Sequence, residues 1–234
     1  MILFLLLFFI NMNNEFMSGL LTGITSAIIF NPIDKAIYLS TIQNLKIYNP
    51  YIWKNCFKGS FITISSRMIT SGLYFGYLDY FTNNCSNNLQ SALLTSVICS
   101  ITNPLQLVKY HSWFNNLSIH NSFNFIKNNY GYKGFLIGIN PLICRDFIFN
   151  YLYISNKKKD DDLYNLMVIS SSLIVVAPLN FIKNKKYGSN EPLKLIFNNF
   201  KLKQLGITQG LFRTTISFYF SQSLYNFLSS TISL

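Results

Sequence analysis

Gly131-Tyr132-Lys133-Gly134-Phe135-Leu136-Ile137-Gly138-Ile139-Asn140-Pro141-Leu142-Ile143-Cys144-Arg145-Asp146 joins a glycine-punctuated turn to an apolar run that carries an arginine in its interior. The apolar run continues to about residue 156, long enough to enter a bilayer. A guanidinium placed there costs at least about 2.5–3.5 kcal/mol on insertion scales. Such a charge is tolerated where it faces a wet interior. The stretch reads as the opening of a membrane helix packed around a cavity.

The rest of the chain agrees. Of its 234 residues, 50% are apolar and 12% charged, and the mean hydropathy is +0.28. Soluble domains carry about 25% charged residues, so most of this chain cannot face water. The 22 Phe and 15 Tyr, with abundant Asn, Ile and Lys, suggest an AT-rich coding genome, a bias that inflates Asn and Tyr everywhere. A net charge of +11 would point to nucleic acid in a soluble protein. Here the charges lie between apolar segments, so the expected partner is the lipid bilayer and not nucleic acid. Cys56, Cys85, Cys99 and Cys144 have no CxxC spacing, and His111 and His120 are not placed to join them. Neither a metal site nor a cofactor is expected.

Six apolar runs of spanning length follow: 16–40, 60–82, 89–112, 136–156, 163–184 and 206–231. Each contains Ser, Thr, Asn or an isolated charge, as suits helices around a polar interior. Thirteen of the 16 lysines fall in 35–58, 109–133 and 183–203, the connections after the odd-numbered spans. The connection at 83–90 is uncharged, and 156–162 balances to zero. The positive-inside rule therefore places the three basic connections on one side and both termini opposite.

The unit repeats three times. Asn31-Pro32-Ile33-Asp34, Asn103-Pro104-Leu105-Gln106 and Ala177-Pro178-Leu179-Asn180 each close an odd span, 72 and 74 residues apart. Lys109 and Lys183 follow their prolines by five. Each basic connection holds a short amphipathic stretch, Tyr51–Phe57, Ser122–Asn128 and Pro192–Phe200, of the kind that lies at an interface. Glycines (Gly59; Gly131, Gly134 and Gly138; Gly206 and Gly210) open the even spans. The chain has only three arginines, Arg67, Arg145 and Arg213, one inside each even span. Arg67 lies too deep to snorkel easily, so convergence of all three on a central cavity is expected. Gly19-x-x-x-Gly23 and Gly72-x-x-x-Gly76 suit close helix packing. Enzyme chemistry is not expected: the chain has no Ser/His/Asp constellation and no phosphate-cradling GxxxxGK[ST]. Asp160-Asp161-Asp162, directly after three lysines, reads as a solvated loop.

Three proline phrases in register with a glycine and an arginine about seven residues beyond it resemble the mitochondrial carrier family, over roughly residues 16–230. The resemblance implies an all-α membrane protein: six transmembrane helices in three pseudo-symmetric repeats (16–85, 86–160 and 161–234, after an extension at 1–15), forming a barrel around a central cavity. It implies a monomer in the mitochondrial inner membrane with both termini on the intermembrane side, and cardiolipin at the repeat interfaces. It also implies exchange of a small anionic solute by alternating access, with Pro32, Pro104 and Pro178 as helix kinks. Residues seven past the glycine contact substrate in that family, which gives Arg145 from Gly138 and Arg213 from Gly206. From Gly59 the count lands on Ser66, one short of Arg67, so both are retained, and Asp146 joins them beside Arg145.

The family's matrix gate pairs each motif acid with the next motif lysine. Asp34 with Lys109 keeps one such pair. Gln106 with Lys183 keeps a charge–dipole contact, and Asn180 would meet Ile37. On the opposite side Asp79 survives from an aromatic-acid signature that becomes Tyr225-Asn226 in the last repeat. A positive cavity favours nucleotides or deoxynucleotides as the anion, because each guanidinium makes a planar two-point contact with phosphate. The Arg145-Asp146 pair resembles that of amino-acid carriers, so an amino-acid or carboxylate exchanger is the alternative, and a transport-dead membrane anchor is the third reading. The short chain and its composition also resemble the carrier-like proteins of giant DNA viruses, for which nucleotide movement across a host mitochondrial membrane would be an advantage. The ten apolar residues at the start are too few to span, carry no function here, and leave Met12 or Met17 as candidate starts.

Overall fold

A computed structural model of the chain describes residues 13–43, 45–85, 87–157, 161–198 and 207–232. The apolar segment 1–10, Met12, the Lys158-Lys159-Asp160 part of the charge-balanced connection, Phe200, Lys201, Lys203 and Gly206 lie outside the described residues. Among the described residues all regular structure is helical. The order is α1 (Asn13–Gln43), α2 (Pro50–Trp53), α3 (Ser60–Asn84), α4 (Asn88–Cys99), a 3-10 turn (Ser100–Thr102), α5 (Asn103–Phe114), α6 (Ile119–Tyr130), a second 3-10 segment (Tyr132–Leu136), α7 (Ile139–Asn156), α8 (Asp162–Ser189), α9 (Leu193–Asn198) and α10 (Ile207–Ile232).

Local chemistry sets the boundaries. Asn49 caps α2, which has Pro50 at its first position, and the side chains of Asn87, Ser118 and Asp161 accept from backbone N–H groups to cap α4, α6 and α8. Asp161, from the acidic triplet, thus serves as a helix cap. Gly59 (φ 80°) and Gly138 (φ 78°) begin α3 and α7 in the left-handed region that glycine enters freely. A Cβ on Gly138 would also stand 2.6 Å from the Tyr187 ring.

The three prolines are accommodated in two ways. Pro32 and Pro178 lie inside α1 and α8, each of which runs on past its proline. Pro104 instead sits in the first turn of α5, where its missing N–H is no loss. The spanning stretch expected over 89–112 is formed as Asn88–Phe114, with a 3-10 turn at Ser100–Thr102 just before this proline.

Among the described residues, three helical stretches are long and apolar enough to cross a membrane: Asn88–Phe114, Tyr132–Asn156 and Leu163–Ser189. By length, α1, α3 and α10 (31, 25 and 26 residues) would also reach across a bilayer. Parts of two helices turn small polar residues inward and apolar ones outward. On α1, Ser18, Thr22 and Ser26 are buried while Leu21, Ile28 and Ile29 are exposed; on α4, Ser91, Thr95 and Ser96 are buried while Leu93, Leu94 and Val97 are exposed. Such outward apolar faces suit a lipid environment.

The long helices pack side by side. α1 runs along α3, α3 meets α4, α7 lies between α4 and α8, and α10 touches both α8 and α1. The α1–α3 contact depends on small residues: a Cβ on Gly19 would stand 2.9 Å from the Ser71 carbonyl oxygen, and one on Gly23 would stand 2.6 Å from that of Arg67. Gly23→Val is therefore expected to force these helices apart and lower stability by about 1–3 kcal/mol, read as an earlier thermal transition in detergent.

Asparagines tie odd helices to the turns before even ones. Asn103 donates to the carbonyls of Phe135 (2.8 Å) and Ile137 (3.3 Å) and accepts from the Tyr187 hydroxyl (2.6 Å). Asn31 makes the corresponding contacts with the Cys56 carbonyl (3.2 Å) and the Ser60 hydroxyl (3.1 Å). Asn103 is fully buried. Asn103→Ala should cost about 1–3 kcal/mol by leaving buried partners unsatisfied, whereas Asn31→Ala, which strands fewer groups, should cost less; paired thermal melts test the order.

Candidate functional site

A cavity of about 430 Å³ lies among the long helices, with α1, α3, α4, α5, α7, α8 and α10 all contributing to its wall. Its lining contains Arg67 from α3, Arg145 and Asp146 from α7, and Arg213 from α10. Asp34 on α1, Gln106 on α5, and Asn180 and Lys183 on α8 line it as well. Every arginine in the chain thus reaches one cavity, although they are separated by 78 and 68 residues in sequence.

Ser66 and Lys109 do not line it. Ser66 is buried and donates to the Thr63 carbonyl within α3 (3.2 Å), so the residue of α3 that faces the cavity is Arg67. Lys109 is buried behind the wall, with its ammonium over the rings of Tyr110 (4.4 Å) and Trp113 (5.0 Å). Asp79 lies on α3, and Tyr225-Asn226 on α10.

Two ionic groups organise the lining. Asp34 accepts from Arg67 Nη2 (2.5 Å) and Arg213 Nη2 (2.7 Å), and its other oxygen meets Arg213 Nε. The expected Asp34–Lys109 ion pair is not formed; the carboxylate instead bridges Arg67 from α3 and Arg213 from α10, the latter meeting both its oxygens, and charge-assisted contacts of this kind are strong. In the second group, Arg145 donates through Nε (2.8 Å) and Nη2 to Asp146 and through Nη1 to Asn180 (3.2 Å). Gln106 donates to Thr102 (3.2 Å) and makes no contact with Lys183 of the kind expected. Lys183 is almost fully buried, its ammonium 5.6 Å from the ring centres of both Tyr110 and Tyr187.

Four cations and two carboxylates line the cavity, leaving it net positive. A small anion would gain from this field in a place partly shielded from water. A guanidinium can make a planar two-point contact to phosphate or carboxylate, but here the three are engaged by Asp34, Asp146 and Asn180.

At one wall of the cavity, where Tyr38 and Tyr110 line it, lies an aromatic cluster that sequence reasoning passed over. Tyr38 makes tilted ring contacts with Tyr110 (4.6 Å) and Trp113 (5.9 Å), and Tyr110 meets Trp113 edge-on (5.3 Å) and stacks on Tyr187 (5.5 Å). Trp113 and Tyr187 also cover the glycines that open the preceding even helices, Gly59 and Gly138. The signal was present: Tyr38 and Tyr110 follow their prolines by six residues, and Trp113 and Tyr187 follow theirs by nine. A chain with 15 Tyr hides such a pattern well.

Compared with known protein families and with curated proteins, the chain matches none of them.

Proposed function

We propose that this protein is a membrane solute carrier of the mitochondrial type, a six-helix barrel of three repeats that exchanges a small anionic metabolite by alternating access. The observation that carries the reading is the meeting of the chain's three arginines at one net-positive cavity. Intramembrane guanidiniums are costly, and three distant ones on a common surface imply selection for an anion. The repeat reading draws support from the equivalent roles of Asn31 and Asn103, and of Trp113 and Tyr187, at corresponding positions after the prolines.

Nucleotides or deoxynucleotides are the first candidates, since a polyanion can engage several guanidiniums together. One observation favours a second reading. Asp146 is held against Arg145, and an acid beside a base matches an amino-acid zwitterion better than a phosphate. On the carrier reading the membrane is the mitochondrial inner membrane, of a host if the chain is viral. The termini then face the intermembrane side, cardiolipin sits at the repeat interfaces, and the protein works as a monomer.

Uptake of labelled ATP, glutamate and succinate into proteoliposomes holding the full chain separates the classes. Saturable ATP uptake that glutamate does not inhibit supports nucleotides, and the reverse supports amino acids. Inserted protein that moves none of them supports the transport-dead anchor.

A further inference from the structure

Asp34 occupies the place where a substrate anion would be most strongly held. Its two carboxylate oxygens take donors from Arg67 and Arg213, two of the three arginines of the cavity, and the side chain is only 12% exposed. Lys109 is buried with its ammonium over the rings of Tyr110 and Trp113, and forms no ion pair among the described residues.

We infer that Asp34 is a built-in competitor for the transported anion: its carboxylate fills a two-guanidinium subsite at rest, and a carboxylate or phosphate group of the solute displaces it. The inference rests on the carrier reading and deepens it. Two guanidiniums from different helices, converging on one carboxylate, form a subsite shaped for a planar or tetrahedral oxyanion. An anion that enters must first take these donors from Asp34, and the released carboxylate is then free to pair with Lys109, which has no ion pair of its own among the described residues. Occupancy of the cavity is thereby coupled to formation of the Asp34–Lys109 pair beneath it, on the side of the aromatic cluster. A solute with one oxyanion group replaces Asp34 charge for charge. Neutral solutes cannot do so, which makes Asp34 a selectivity residue as well as a trigger.

Removing the competitor should have opposite effects on binding and movement. When a site is available for only a small fraction of the time, its apparent affinity falls by that fraction. If Asp34 holds the subsite nine-tenths of the time or more, Asp34→Asn should bind the anion at least about tenfold tighter. The same variant should exchange it more slowly than the native protein, because no carboxylate is released to Lys109.

The test is equilibrium binding of ATP, glutamate and succinate to the full chain in detergent, beside their exchange in proteoliposomes, for the native protein and Asp34→Asn. Tighter binding with slower exchange is the expected result. A folded Asp34→Asn protein that binds no more tightly than the native one overturns the competitor role, even if the native protein transports. Binding of none of the three by either protein overturns the anion-site reading and this inference together. Should Asp34→Asn not fold, Lys109→Gln decides the matter. It should keep binding and lose exchange, and native exchange rates in that variant would overturn the coupling.

Discussion

Arg145→Ala is expected to lower anion uptake about 10- to 150-fold while the protein still inserts, the size of effect that follows from losing charge-assisted contacts worth about 1.5–3 kcal/mol. Arg145 lines the cavity and holds Asp146 by a two-point contact, with Asn180 on its third donor. Alanine removes the cation and leaves the Asp146 carboxylate exposed to the solute, so attraction is lost and repulsion is gained. Arg145→Lys should recover only part of the activity, because an ammonium restores the charge but not the planar fork. Initial uptake rates in proteoliposomes, normalised to inserted protein, measure the effect. Asp146→Asn then separates the substrate classes. It should abolish transport of a zwitterion, whose ammonium needs the acid, and should preserve or raise transport of a nucleotide.

Arg213→Ala should be the most destabilising of the site substitutions, costing about 2–3 kcal/mol. Arg213 and Asp34 are only 11% and 12% exposed, and breaking such a pair strands a carboxylate away from bulk water. The cost stays below that of a wholly orphaned charge because Arg67 keeps its own contact with Asp34. Adding Asp34→Asn should return most of the lost stability, since the stranded charge is then gone. Thermal melts of the two single variants and the double variant form a cycle whose non-additivity measures the Asp34–Arg213 coupling. Additive effects would mean that the two side chains do not depend on each other.

Charges inside apolar segments are rare enough to be read from sequence, and Arg67, Arg145 and Arg213 stood out for that reason. All three reach the cavity. The choice between Ser66 and Arg67 was not legible, because one residue turns a helix face by about 100° and the register depends on where the helix begins. Counting seven from Gly138 reaches a lining residue, whereas the same count from Gly59 reaches buried Ser66. The partner of Asp34 was beyond sequence reasoning for a different reason. A carboxylate takes the nearest well-placed donors, and the 33 and 179 residues separating it from Arg67 and Arg213 say nothing about distance in the fold. Pro104 was recognised as a helix-disturbing residue, but whether a proline ends up inside a helix or at the start of a new one depends on its surroundings. Here the buried Asn103 amide is committed to the carbonyls of Phe135 and Ile137, which anchors the new start.

Exchange across a reconstituted membrane tests the carrier reading most directly. Proteoliposomes preloaded with unlabelled anion are compared with empty ones for uptake of the same anion in labelled form. A carrier working by alternating access should show faster, saturable uptake into the preloaded vesicles, and Arg145→Ala should remove that acceleration. Correctly inserted protein that takes up no labelled nucleotide, amino acid or dicarboxylate into preloaded vesicles would contradict it.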